Sequence, residues 1–220
     1  MYIKNRYLSA IYKIALAACG IVGIQMQLSL FSGAANWGMF RYFTNLSNLL
    51  CVLYFLCAAV FLLTDKKRRS VFCPMLKSMV TMSITVTMLV AHFMLGNFTM
   101  NGTISPALLL LHYIVPSMTL LDWLLFDEKG VTKKLYPILG VIIPFVYFGY
   151  ALIAAQTGTY QNGSRYPYPF IDVDNLGVLK VSLTVAALAA GFILLGYLFF
   201  LIDHGLARLY QNRKKPKTVS

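Results

Sequence analysis

Six stretches of mostly apolar residues follow one another along the chain, and each can supply the roughly 20 residues that a helix needs to cross a ~30 Å hydrocarbon core. They run near Ile11–Leu30, Phe40–Leu63, Lys77–Phe98, Ile104–Phe126, Leu135–Gln156 and Val178–Ile202. Each must be helical, because an isolated strand in lipid leaves its backbone N–H and C=O groups without partners. The connecting segments, FSGAANWGM, DKKRRSVFCPM, NGT, DEKGVTKK and TGTYQNGSRYPYPFIDVDNLG, are too short to fold separately. The expected fold class is therefore all-α: a polytopic bundle of six transmembrane helices forming one domain over residues 1–220. Composition agrees. The chain is 59% hydrophobic and 12% charged, with a mean hydropathy of +0.69, where a soluble domain carries about 25% charged residues.

The charge is lopsided, with 19 Lys and Arg against 7 Asp and Glu. In a soluble protein that balance would suggest nucleic acid, but its placement argues otherwise. With the N-terminus inside, the inner segments hold Lys4, Arg6 and Lys13, then Lys66–Arg69 and Lys77, then Lys129, Lys133 and Lys134, and finally Arg208 and the tail basic residues. Only Arg41, Arg165 and Lys180 remain outside. This is the positive-inside pattern, so both termini are expected in the cytoplasm and no nucleic-acid partner is expected. The tail RLYQNRKKPK is read as topogenic, with contact to anionic lipid or nucleic acid as the other option.

Several other signals are excluded. LAAC at Leu16–Cys19 looks like a lipoprotein box, but Lys13 leaves few apolar residues ahead of it, against the usual ~7–15. Cys19, Cys51, Cys57 and Cys73 have no C-x-x-C spacing, so neither zinc nor a disulfide framework is expected. No metal or cofactor is predicted. Sequons at Asn45, Asn97, Asn101 and Asn162 matter only on a eukaryotic secretory route. There is no Gly-rich phosphate loop and no transporter-like internal repeat.

Polar residues within spans are costly, which makes them candidates for function. His92 lies about six residues from Phe98, roughly 9 Å deep, and His112 lies eight residues into the fourth span, roughly 12 Å deep. With Arg41 snorkelling outward, Thr44 is on the order of 7 Å deep. All three fall in the outer half. Thr44, Ser47 and Asn48 share a helical face, as do Thr81, Thr85, Met88 and His92. Ser105, His112 and Thr119 repeat at i+7, with Pro116 on the same side. The alternative role for the small polar residues is to hold helix to helix. Asp122 is expected as an inner anchor paired with Lys133, Lys134 or a neighbouring helix. Asp172 and Asp174 are expected in solvent, in a loop whose aromatics can fold over the outer mouth.

Three segments, RYFTNLSN, LLHYIVPSMTLLDW and SRYPYPFIDVDNLG, occurring in that order on six spans, resemble a bacterial six-span integral membrane family (Pr-six-Pr) over nearly the whole chain. That family is similar in turn to the animal androgen-induced and androgen-dependent TFPI-regulating proteins, which hydrolyse fatty-acid esters of hydroxy fatty acids with an intramembrane threonine and a histidine. The resemblance implies a bacterial plasma-membrane protein that meets membrane lipids and a lipid ester substrate. It also implies Thr44 as nucleophile and His112, ahead of Pro116, as base. The chemistry stands on its own terms, since a threonine hydroxyl becomes nucleophilic once a neutral histidine takes its proton. Asn45, Asn48 and His92 are the candidate substrate-binding donors for the oxyanion. No acidic third member is evident, so a dyad is expected. The competing class is a non-enzymatic small-solute or lipid transporter or receptor. Pro116 and Pro144 as possible kinks speak for it, and the lack of a charge near the midplane speaks against it.

Overall fold

The computed structural model describes residues 2–30, 35–65, 70–94, 99–100, 103–158 and 163–214. Among them six helices are long and apolar enough to cross a membrane, as befits an integral membrane protein. They are α1 (Arg6–Leu28), α2 (Phe43–Thr64), α3 (Pro74–Phe93), α4 (Pro106–Phe126), α5 (Tyr136–Ala154) and α6 (Val173–Lys214). Short 3-10 turns at Trp37–Arg41 and Pro169–Ile171 and a two-residue antiparallel pair, Thr99–Met100 with Thr103–Ile104, complete the described secondary structure. Lys66–Arg69, the sequons at Asn97, Asn101 and Asn162 and the tail beyond Lys214 lie outside the described residues.

The helix boundaries follow from local chemistry. α1 starts at Arg6 rather than Ile11 because the Asn5 side chain accepts from the amides of Tyr7 (3.0 Å) and Leu8 (3.1 Å), satisfying two of the orphan donors of a helix start. α3 starts at Pro74, where a missing N–H costs nothing. α6 runs well past Ile202, and its first turn joins the remainder through Gly177 at φ 76° and ψ 158°, backbone that glycine adopts without strain.

Ile3 donates its amide to the Leu125 carbonyl (2.7 Å), and Gly130 donates to Asp203 (2.9 Å). These bonds gather the N-terminus, the end of α4, the α4–α5 connection and the later part of α6 at one end of the bundle. Thr44 and the start of α2 lie at the other. The core between them is a cluster that includes Leu16, Cys51, Phe55, Val80, Ile84 and Val115. α1 approaches so closely that a Cβ on Gly20 would lie 2.5 Å from Val52, and one on Gly23 would lie 2.7 Å from Leu111. α6 turns an apolar face outward, with Leu179 74% and Leu194 71% exposed. Such a surface is unusual on a soluble monomer and ordinary against lipid. Nearer the Thr44 end, the segment before α6 folds back between α5 and α6, where Tyr166, Tyr168 and Ile171 pack with Ala151, Ala155 and Val181.

Candidate active site

The first turn of α2 carries Thr44. Tyr42 caps the helix with its backbone alone, its carbonyl accepting from the amides of Asn45 (3.1 Å) and Leu46 (3.3 Å). The amides of Phe43 and Thr44 consequently have no acceptor within the helix. The Thr44 side chain reaches across to α4, where its Oγ1 lies 3.2 Å from Nε2 of His112. Both side chains are buried.

His112 owes its aim to a defect in α4. Pro116, four residues on, lacks the N–H that the His112 carbonyl would otherwise take, and its ring crowds that carbonyl. The helix widens into a π turn over Leu110–Ile114, in which the Val115 amide reaches back to Leu110. Such turns recur at functional sites. The Nδ1 of His112 lies 3.1 Å from the Leu108 carbonyl. A carbonyl oxygen only accepts, so Nδ1 carries the proton in that bond and Nε2 of the neutral ring presents its lone pair to the Thr44 hydroxyl. The Leu108 carbonyl thus sets the tautomer, a role that sequence reasoning left unfilled. His112 and Thr119 both face α2, at Thr44 and at Cys51 (3.4 Å), as the i+7 spacing predicts. Thr119 also donates to the Val115 carbonyl (2.9 Å).

The other predicted binding residues are placed differently. His92 is exposed, with its Nδ1 3.4 Å from the Tyr113 hydroxyl, and it does not face Thr44. The Asn45 amide donates to the Met39 carbonyl (2.8 Å). Asn48 donates to the carbonyls of Thr44 (2.8 Å) and Leu111 (3.0 Å). Asn48 thus commits both of its N–H groups to backbone and is no free oxyanion donor, while Asn45 commits one of its two. Asn48 is a strut that ties the first turn of α2 to the π turn. Asn45, 3% exposed, is also no acceptor for a glycan. Ser47 and Thr87 join α2 to α3 through a 2.8 Å hydroxyl contact, the helix-to-helix role expected of small polar residues.

Thr44 opens onto a cleft between α2, α3, α5 and α6 that encloses about 90 Å³. Its polar end is Thr44 with Thr87, its walls include Phe145, Leu188 and Phe192, and the aromatics Tyr168 and Phe170 border it as well. The aromatic loop thus packs onto the site. Within that loop, Asp172 departs from expectation. It is buried and accepts from Ser164 (2.9 Å) and from the backbone (3.0 Å) and side chain (2.7 Å) of Asn175, capping α6. Asp174 remains exposed, paired with Arg165.

A second polar cluster lies towards the opposite end. Asp122, fully buried, pairs with Lys13 of α1 (2.7 Å) and with Lys77 of α3. Neighbouring helices therefore supply its partners, rather than Lys133 or Lys134. Lys77 also lies 3.6 Å from Asp127 and 4.3 Å from the Phe55 ring centroid. Lys13 and Lys77, counted among the basic residues of the inner side, are buried in the bundle. Burial pushes the Asp127 carboxyl up to about 6, against the opposing pull of Lys77.

No protein-family model, no curated protein and no solved structure matches this chain.

Proposed function

We propose that this protein is an intramembrane threonine hydrolase that cleaves fatty-acyl esters with a Thr44–His112 dyad. The carrying observation is the 3.2 Å approach of Thr44 Oγ1 to a His112 Nε2 whose lone pair is freed by the bond at Nδ1. The apolar cleft beside Thr44 supports an acyl chain as the group bound there, because a long hydrocarbon buries well against aromatic and aliphatic walls. Likeness of RYFTNLSN and LLHYIVPSMTLLDW to the six-span family supports the same reading.

In the proposed cycle, His112 Nε2 takes the Thr44 proton as Oγ1 bonds to the ester carbonyl carbon. The tetrahedral intermediate collapses, and the departing alkoxide receives the proton from His112. Water then gives a proton to the same nitrogen and attacks the acyl-threonine, releasing a carboxylic acid and restoring the hydroxyl. General-base assistance of this kind contributes about 10²–10⁴-fold. A fluorophosphonate probe tests the nucleophile directly. Wild type should lose fluoride from the probe and carry the adduct on the Thr44 peptide. An adduct that persists undiminished in Thr44→Ala would remove the assignment.

We place both termini on the cytoplasmic side, supported by the concentration of Lys and Arg in one set of segments. Reporter fusions at Ser220 and at residues 163–165 should report opposite compartments, and matching compartments would overturn the orientation. The second reading is a transporter or lipid receptor, favoured by the buried Lys13–Asp122–Lys77 cluster, since ionisable groups inside a bundle often mark ion paths. Hydrolysis that depends on Thr44 separates the two.

A further inference from the structure

The proposed reaction needs donors for the negative charge on the tetrahedral intermediate. Asn48 spends both its N–H groups on backbone, His92 is exposed beside Tyr113, and Asn45 has one N–H held by Met39. The groups that converge on Thr44 from the other side are on the loop before α6 and at the tip of α2. Tyr168 borders the same cleft as Thr44 and is 7% exposed. Its ring is held edge-on by Tyr42 (centroids 5.9 Å apart) and stacked on Phe170 (5.1 Å), so its hydroxyl has little freedom to leave. Burial pushes the phenol up, and the nearby Thr44 side chain and the backbone at Thr44 and Phe43 pull it the other way. A buried phenol ordinarily finds a polar partner. Here its neighbours are the nucleophile and the two amides that the helix leaves open.

We propose that the Tyr168 hydroxyl and the amides of Phe43 and Thr44 form the oxyanion site of the Thr44 reaction, an assignment that rests on the hydrolase reading. At rest Thr44 Oγ1 donates to His112, and the phenol borders the same cleft beside it. Once Oγ1 bonds to the carbonyl carbon, the oxyanion sits two bonds from Oγ1. The same phenol reaches it by a small swing, alongside two amides at the positive end of the α2 dipole. No proton leaves Tyr168. It donates a hydrogen bond and keeps it as the intermediate forms and collapses.

Tyr168→Phe is the discriminating variant, because it keeps the ring that Tyr42 and Phe170 hold and removes only the hydroxyl. The assay is hydrolysis of a chromogenic long-chain acyl ester in detergent micelles, together with inhibition by an alkylboronic acid, which adds to a nucleophilic hydroxyl as a tetrahedral anion. The expected result is a kcat roughly 10²-fold lower with KM little changed, boronate inhibition weakened by a similar factor and an unchanged Tm. Unchanged kcat in Tyr168→Phe, with Thr44→Ala inactive, overturns the oxyanion role and leaves the hydrolase standing. A raised KM with kcat intact, or a loss of turnover that follows a lowered Tm, overturns it too. Full turnover in folded Thr44→Ala removes both this proposal and the reading beneath it.

Discussion

Two ends of α4 carry two kinds of polar cluster. Towards one end Asp122 is locked between Lys13 and Lys77, with Asp127 beyond. At the other, His112 meets the Thr44 hydroxyl beside an apolar cleft. The first cluster is charged, with Lys13, Asp122 and Lys77 closed on one another and on the rings of Phe55 and Phe126. The second is neutral and open on one side. Asp122, paired through both carboxylate oxygens, has little capacity left for a ligand, and such pairing largely offsets its own desolvation. An uncharged hydroxyl–imidazole pair costs less to bury and keeps a reactive atom available. On this account the closed end fixes how α1, α3 and α4 meet, and the open end uses that alignment.

The largest expected effect lies at the closed end. Asp122→Ala leaves the buried Lys13 ammonium without a carboxylate and Lys77 with only Asp127 (3.6 Å), so it should cost about 3–5 kcal/mol, read as a loss of folded protein and a lowered Tm in detergent. A mild effect would mean that water reaches the lysines. Replacing the whole triad, as Lys13→Met, Lys77→Met and Asp122→Leu, should recover most of that stability and retain ester hydrolysis. A folded triple variant without hydrolysis would break the comparison and favour the ion-path reading.

A smaller effect concerns Asp127. Burial raises its folded pKa to about 6 from an unfolded value of about 3.9. The folded chain therefore holds this proton over a range in which the unfolded chain releases it. The contribution falls as pH rises from about 4 to about 6 and is flat above that. Asp127→Asn should flatten the decline and raise stability at neutral pH by roughly 1–3 kcal/mol, with hydrolysis unchanged. A decline that persists in the variant assigns the proton elsewhere.

The six spans were legible because lipid imposes length and apolarity on every segment that crosses it. Hydropathy sets the start of α1 at Ile11, whereas the helix begins five residues earlier because the Asn5 cap extends it beyond the apolar stretch. The proximity of Thr44 and His112 was foreseen from a family likeness and a shared depth, whereas the feature that aims the ring, the π turn, had only Pro116 as its trace. The Lys13–Asp122–Lys77 cluster escaped because basic residues near span ends look alike whether they point into solvent or into the bundle. The fates of Asn45, Asn48 and His92 turned on which way each side chain faced, which hydropathy does not encode. Tyr168 lay in a loop recognised as aromatic, but no periodicity marks the one loop residue that will fold back onto a helix tip.

The central claim is that Thr44 and His112 work as one unit. Its most direct test is hydrolysis of a long-chain acyl ester, normalised to folded protein, by wild type, Thr44→Ala, His112→Ala, the double variant and Thr44→Ser. Each alanine variant should lose nearly all turnover, the double should be little worse than either single because a catalytic unit is non-additive, and Thr44→Ser should keep part of the activity. Wild-type turnover in a well-folded Thr44→Ala protein, or losses that multiply in the double variant, would contradict the account.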